Sequence, residues 1–391
     1  MEIPFIDLKA QYLRIEAKVK ENIFRVLEHG KFILGPEVYE LEEVLTNYVG
    51  TNHCICCSSG TDALLMSLMA SGIGNGDIVF TTPFTFFATA EVIALSGAIP
   101  IFVDIDPHTF NIDPENLKKA ILAVKQKDPT IYPIPDVIKK DSKEYYPKAI
   151  IAVDIFGVCA PYKELEKIAQ DNNLILIEDG AQSFGGEYHF NKACSFGDIG
   201  CTSFFPAKPL GGYGDGGAVF TNSEKYARML KSIRVHGQGE DKYENLRLGL
   251  NARLDTIQAA VLLAKMEVFD EEIAKRQEVA KRYRNGLKDI AEIKHQYVPG
   301  DIQSAFAQYC ILVKNRNELC EFLKQKGIPT AIYYKKPLHL QKAFEYLGYR
   351  QGDMEVSERV SENIMAIPMH PYLEKEVQDY IIDCIYKFYN Q

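Results

Sequence analysis

Apolar residues recur every three or four positions from Leu8 through Tyr12, Ile15, Val19 and Ile23 to Val26. That spacing predicts a helix over residues 8–29, ended by Gly30, with a second helix over 37–49. The pattern then changes. Short apolar runs at 54–57, 78–81, 100–103, 149–154 and 174–177 alternate with helical stretches at 63–70, 84–95, 114–124 and 162–170. Apolar strands separated by helices predict a mostly parallel sheet covered on both faces, an α/β fold. Runs at 199–204 and 218–221 add two strands, 224–235 adds a helix, and 254–287 reads as one long helix. Beyond it a strand at 306–313, a helix at 317–326 and a strand at 330–334 predict a smaller α+β domain. The expected division is a large domain over 1–265 and a small one over 266–391, with the N-terminal helix packing on the small domain. Residues 125–148 are polar, carry four prolines and interrupt the rhythm, so they read as a surface insertion without an assigned function.

With 391 residues, of which 47% are hydrophobic and 25% charged, the chain can bury a large core. Its net charge of -9 argues against a nucleic-acid partner. The nine cysteines are odd in number and irregularly spaced, which fits a reducing, cytoplasmic setting. Cys54, Cys56 and Cys57 are too compressed for a zinc site, and no metal is expected. The N-terminus has neither a basic start nor a long apolar run, so no signal peptide and no membrane span are expected.

The stretch with the most chemistry is Ser203-Phe204-Phe205-Pro206-Ala207-Lys208-Pro209-Leu210, followed by the glycine-rich 211–217. Two prolines hold a lysine on an irregular turn in apolar company. Such a lysine loses its proton more readily than a surface lysine, as imine formation with a carbonyl cofactor requires. The plain alternative is a loop lysine in solvent. Strand 54–57 runs through Ser58-Ser59-Gly60-Thr61 into a helix, which offers free backbone N–H groups to a phosphate, or else a simple N-cap. Asp104, Asp154 and Asp179 end strands, where ligands of parallel sheets bind. Asp179 suits a protonated ring nitrogen and Gln182 a phenolic oxygen. Phe84 or Phe86 suits a ring face, and Ser203 could add a phosphate contact. The glycines of 212–217 precede a strand instead of opening a helix, so they are not a dinucleotide fingerprint.

Taken together, several stretches resemble the DegT/DnrJ/EryC1/StrS family of sugar aminotransferases. They include Ser59-Gly60-Thr61-Asp62-Ala63-Leu64, Pro83-Phe84-Thr85-Phe86-Phe87-Ala88-Thr89-Ala90, Glu178-Asp179-Gly180-Ala181-Gln182-Ser183, Ser203 to Lys208, and Asn251-Ala252-Arg253-Leu254-Asp255. The resemblance implies an aspartate aminotransferase-like, fold-type I enzyme using pyridoxal 5′-phosphate, with pyridoxamine 5′-phosphate as intermediate. It implies Lys208 as the Schiff-base lysine, Asp179 at the pyridinium nitrogen, Gln182 near the phenolic oxygen and Phe84 stacked on the ring. Gly60, Thr61 and Ser203 would hold the phosphate, and Asn251 would reach it from the neighbouring subunit of a homodimer with composite sites. Arg253, beside Asn251, would clamp an anionic group of the substrate, and Tyr333, Tyr334 and His339 fall where the family places residues of its sugar-nucleotide site. Lys335 and Lys336 depart from the family's usual proline after the tyrosine, and would suit a diphosphate.

Within the family the chain resembles most the enzymes that aminate C3 of a UDP-linked 3-keto-N-acetylglucosamine uronic acid for surface polysaccharide or lipopolysaccharide. L-glutamate would be the donor and 2-oxoglutarate the by-product. Amination at C3 or C4 of another nucleotide-linked keto-deoxysugar and a non-catalytic regulator are the alternatives. A sugar 3-dehydratase of this fold would carry histidine where Lys208 stands.

Overall fold

The computed structural model describes residues 3–140, 143–241 and 243–390. Residues 1–2, and 141–142 of the polar insertion, lie outside the described residues.

Seven strands form the central sheet, in the order His53–Cys57, Gly217–Thr221, Ile199–Ser203, Ile175–Asp179, Tyr146–Val153, Asp77–Thr81 and Ile99–Phe102. Strand Gly217–Thr221 runs antiparallel to both its neighbours, and the five strands beyond it pair in parallel. Side chains alternate between two cores, as the period of two requires. Ile78, Phe80, Ile150 and Leu176 face one core. Val79, Ile151, Ile177 and Val219 face the other. Helices cover both faces, so these strands carry continuous apolar runs.

A second, three-stranded antiparallel sheet joins Ile293–His295, Tyr309–Val313 and Ile364–Ile367. Its core takes in Ile3 from the N-terminus. Helix Leu8–His29 itself lies on helix Thr256–Met266, where Ile15 and Val19 meet Val261 and Ala264.

Four details differ from the sequence reading. The helix expected over 254–287 is two helices, Thr256–Met266 and Phe269–Leu287, broken where Val268 takes φ −117° and ψ 2°. The second begins with Asp270, Glu271 and Glu272, an acidic first turn that favours a new helix start. The expected strand 330–334 is only an isolated bridge from Ala331 to Ala366. The helix expected from 84 begins at Ala88. The 125–148 stretch is not merely surface, because Tyr132, Ile134 and Ile138 are buried in the core. The Tyr132 hydroxyl oxygen accepts the Asp104 N–H at 2.8 Å.

Candidate active site

The site residues converge because of strand register. Gly217 pairs with Cys57 on one side and Ser203 on the other, so the ends of strands His53–Cys57 and Ile199–Ser203 meet at one edge of the sheet. Asp179 closes the next strand, in register with Cys201. Helix Gly60–Ala70 starts at this edge, with Ser59 as its cap: the Ser59 Oγ accepts the Asp62 N–H at 3.0 Å. Capping leaves the Gly60 and Thr61 amides, the first two of the helix, without an intrahelical acceptor. A Cβ on Gly60 would stand 2.7 Å from the Ser203 Cβ, so only glycine lets the backbone come this close to Ser203. Gly217 is equally constrained, its hypothetical Cβ being 2.5 Å from the Ser59 carbonyl group.

Asp179 is buried. Its Oδ2 accepts the Thr89 hydroxyl at 2.8 Å and its Oδ1 the Ala181 N–H at 3.3 Å. Burial raises its carboxyl above the ordinary value, while the Thr89 hydroxyl, the Lys208 ammonium and the Ala181 amide all favour the carboxylate. Lys208 follows a turn closed by its own N–H to the Phe205 carbonyl at 2.9 Å. Burial in the cleft pushes its ammonium from 10.5 down to about 8, and the charge of Asp179 opposes that shift.

Gln182 is held from both ends of its amide. Its Oε1 accepts the Phe156 N–H at 2.9 Å, and its Nε2 donates to the Tyr334 hydroxyl at 3.2 Å. One Nε2 hydrogen remains for another acceptor. Burial raises the Tyr334 hydroxyl well above its ordinary value. Tyr333 is half-buried beside it, with ring centroids 5.9 Å apart.

Phe84 has 0% exposure and meets Phe110, Phe156 and Tyr334 edge to face, so it presents no open ring face. Phe86 is 58% exposed, three residues before Thr89. His339 is 1% exposed, packed against Phe102 and Tyr349, and its Nε2 lies 3.0 Å from Glu358 Oε1. Burial lowers its imidazolium and Glu358 pulls it back. His339 therefore belongs to the core and does not line the cleft, contrary to the sequence expectation.

Asp154 and Asp104 are strand-end carboxylates with structural partners. Asp154 accepts Ala160 N–H, the Tyr162 hydroxyl and the Ser183 hydroxyl, at 2.8, 2.7 and 2.6 Å. Asp104 accepts the Val356 and Ser357 amides, each at 2.9 Å.

The strap 250–253 passes the cradle, its Ala252 carbonyl accepting the Ser58 N–H at 3.1 Å. Alternation along it buries Ala252 and exposes Asn251. Arg253 carries a buried Nε with no hydrogen-bond partner among the described residues. Sequence reasoning missed Thr89, although Thr85 and Thr89, hydroxyls one turn apart in an apolar stretch, lie 3.0 Å from each other and mark a polar lining.

The residues fit the cofactor that the resemblance implies. A cradle that any Cβ would fill, a buried carboxylate, a lysine with a lowered ammonium and an amide with a spare N–H are the groups a phosphorylated pyridine aldehyde needs.

Comparison with known proteins agrees. A model described as the DegT/DnrJ/EryC1/StrS aminotransferase family matches residues 13–386. The chain is 44% identical over 372 residues to the UDP-2-acetamido-2-deoxy-3-oxo-D-glucuronate aminotransferase of Pseudomonas aeruginosa, covering 95% of this chain and 96% of the other. It is 38% identical over 392 residues to a protein named pleiotropic regulatory protein from Geobacillus stearothermophilus, covering 100% of this chain and 99% of the other. Among solved structures, a DegT DnrJ EryC1 StrS aminotransferase from Brucella abortus superposes with a TM-score of 0.93 at 46% identity, covering all of both chains.

Proposed function

Because the chain belongs to the DegT/DnrJ/EryC1/StrS aminotransferase family, we propose that it transfers the amino group of L-glutamate to C3 of a UDP-linked 3-keto-N-acetylglucosamine uronic acid, for surface polysaccharide. It is a pyridoxal phosphate-dependent aminotransferase of nucleotide-linked keto-sugars. The observation that carries the reading is the meeting, at one sheet edge, of Lys208, the buried Asp179 and the Gly60–Ser203 cradle.

Pyridoxal phosphate supplies an aldehyde for amines and a ring that withdraws electrons from the carbon beside the bound nitrogen. The protein's own residues do the rest. The Gly60 and Thr61 amides and the Ser203 hydroxyl hold the phosphate at the positive end of a helix. Asp179 keeps the ring nitrogen protonated, and Gln182 offers its spare N–H to the phenolic oxygen. Lys208, whose ammonium is lowered to about 8, takes the proton from the Cα of the amino donor. In the opposite half-reaction it delivers a proton to the sugar carbon that becomes the amine. Arg253 meets an anionic group of either substrate. Tyr333 and Tyr334 line the sugar side, and the exposed Lys335 and Lys336 suit its diphosphate.

Asn251 serves the site of a second copy in a homodimer. The support is its exposure together with apolar neighbours left in water, Leu246 and Leu248 among them, Leu248 being 88% exposed. All nine cysteines are unpaired, which fits the cytoplasm. Among the described residues no helix is long and apolar enough to cross a membrane.

The ring-stacking role passes from Phe84 to Phe86, the aromatic with an open face. Phe86→Ala is expected to weaken cofactor retention by about 0.5–1.5 kcal/mol with little change in melting. Phe84→Ala is expected to destabilise the fold by about 3–5 kcal/mol. Cofactor titration and thermal melting of both variants separate the two roles.

A regulator on this fold has no use for Lys208 and Asp179 in these settings, which favours the enzyme. The substrate is tested with UDP- and dTDP-linked 3-keto and 4-keto sugars. The expected result is the highest kcat/KM for the UDP-linked 3-keto uronic acid, with nitrogen at C3 of the product. Preferred amination at C4, or of a dTDP-sugar, would overturn the substrate and leave the chemistry standing.

A further inference from the structure

We propose that Lys265 is a positioning residue for Lys208, acting through the glycine-rich loop that follows it; the proposal rests on the reading of Lys208 as the cofactor anchor. The loop 204–216 is closed at its neck, where Phe204 donates its N–H to the Gly216 carbonyl and accepts the Gly212 N–H, both at 2.7 Å. Lys208 sits inside that closed segment. At its far side the loop rests on one face of helix Thr256–Met266. Gln258 Oε1 accepts the Tyr213 N–H at 2.8 Å. Two turns on, Lys265 Nζ donates to the Gly211 carbonyl at 2.5 Å and lies 4.4 Å from the centroid of the Tyr213 ring. One ammonium therefore grips both the backbone and an aromatic side chain of the loop.

Lys265 is 1% exposed. A buried ammonium is expensive, and a site needing only packing would be served by methionine. Burial lowers its ammonium to about 8, and only Glu272 opposes that. Glu272 is itself engaged by Gln11 Nε2 at 2.8 Å and by the Tyr372 hydroxyl. Tyr12 meets the Tyr213 ring edge-on at 6.2 Å. The hydrogen bond to Gly211, three residues after Lys208, is what the lysine provides that methionine cannot.

The test uses the holoenzyme and two variants, Lys265→Met and Gln258→Leu. Each is expected to bind cofactor yet to shift the midpoint of the pH titration of the cofactor's visible band. Each is expected to lower kcat about tenfold or more, with the KM for L-glutamate nearly unchanged, because a displaced reacting group costs rate and not binding. Variants that melt lower but keep the wild-type titration and kcat would overturn the proposal, since Lys265 would then be structural only. Should Lys265→Met not fold, Lys265→Gln, which removes the ammonium and shortens the reach to the Gly211 carbonyl, is read in its place by the same two criteria. Borohydride reduction of the wild-type holoenzyme keeps the two readings apart. Cofactor fixed at Lys208 with unaltered variants overturns only the role of Lys265, whereas cofactor not fixed there overturns the anchor and the proposal together.

Discussion

Lys208→Ala is expected to abolish amino transfer, with kcat lowered by at least about 10⁴-fold, while the fold is kept. The magnitude follows from what is lost: a general acid–base group is worth roughly 10²–10⁴-fold, and covalent attachment of the cofactor is lost with it. Lys265 does not replace it, because its amine is buried against the Gly211 carbonyl. The same lysine costs the apo-protein stability. Its ammonium falls from 10.5 to about 8 in the folded chain, so the unfolded chain binds more protons between those pH values. The cost is fully present below pH 8 and is relieved as pH rises toward 10.5. Lys208→Met should therefore stabilise the apo-protein at pH 7 by roughly 1–3 kcal/mol, since each pKa unit is about 1.4 kcal/mol and solvent at the cleft screens part of it. The gain should shrink above pH 8. Denaturant unfolding of apo-protein at pH 7 and pH 10 checks the sign.

Asp179→Asn is expected to lower kcat by roughly 10²–10³-fold, the equivalent of about 3–4 kcal/mol, within the range for removing one partner of a buried charged pair. The loss should fall on kcat and not on folding, because the asparagine oxygen can still accept the Ala181 amide while its Nδ2 donates to the Thr89 hydroxyl oxygen, which turns to accept where it now donates. A neutral amide cannot keep a ring nitrogen protonated, so proton removal from the donor slows while the cofactor stays bound by its phosphate. Single-turnover kinetics with L-glutamate, beside a cofactor titration, separate these effects. A variant that loses cofactor but keeps its single-turnover rate would contradict the role.

The parts of this site visible in the sequence are those that one segment carries by itself. Asp179 and Gln182 follow an apolar strand, and their place at the sheet edge comes from where that strand ends. The Lys208 turn announces itself through its prolines and glycines. The cradle was half visible: Ser58 to Thr61 showed a helix start, but nothing local showed that Ser203 would lie against Gly60. That approach exists because strand Gly217–Thr221 inserts antiparallel between two strands some 150 residues apart in the chain. Phe84 and Phe86 have the same chemistry, and only the path of 83–87 decides which enters the core. His339 is placed at the substrate by the resemblance alone, and nothing local shows that Glu358, 19 residues away, meets it in the core. The break at Val268 is hidden by an apolar period that runs through it with no glycine or proline nearby, although the acidic run 270–272 is a readable start signal.

The central claim is that Lys208 anchors pyridoxal phosphate in an enzyme that takes nitrogen from L-glutamate. The most direct measurement is the visible absorbance of wild type and Lys208→Ala side by side, loaded with pyridoxal phosphate, before and after L-glutamate is added. The account predicts a lysine-dependent band in the wild type that bleaches to the pyridoxamine form with release of 2-oxoglutarate, and neither the band nor the conversion in the variant. A wild type without the band, or a variant that converts glutamate as fast as the wild type, would contradict it.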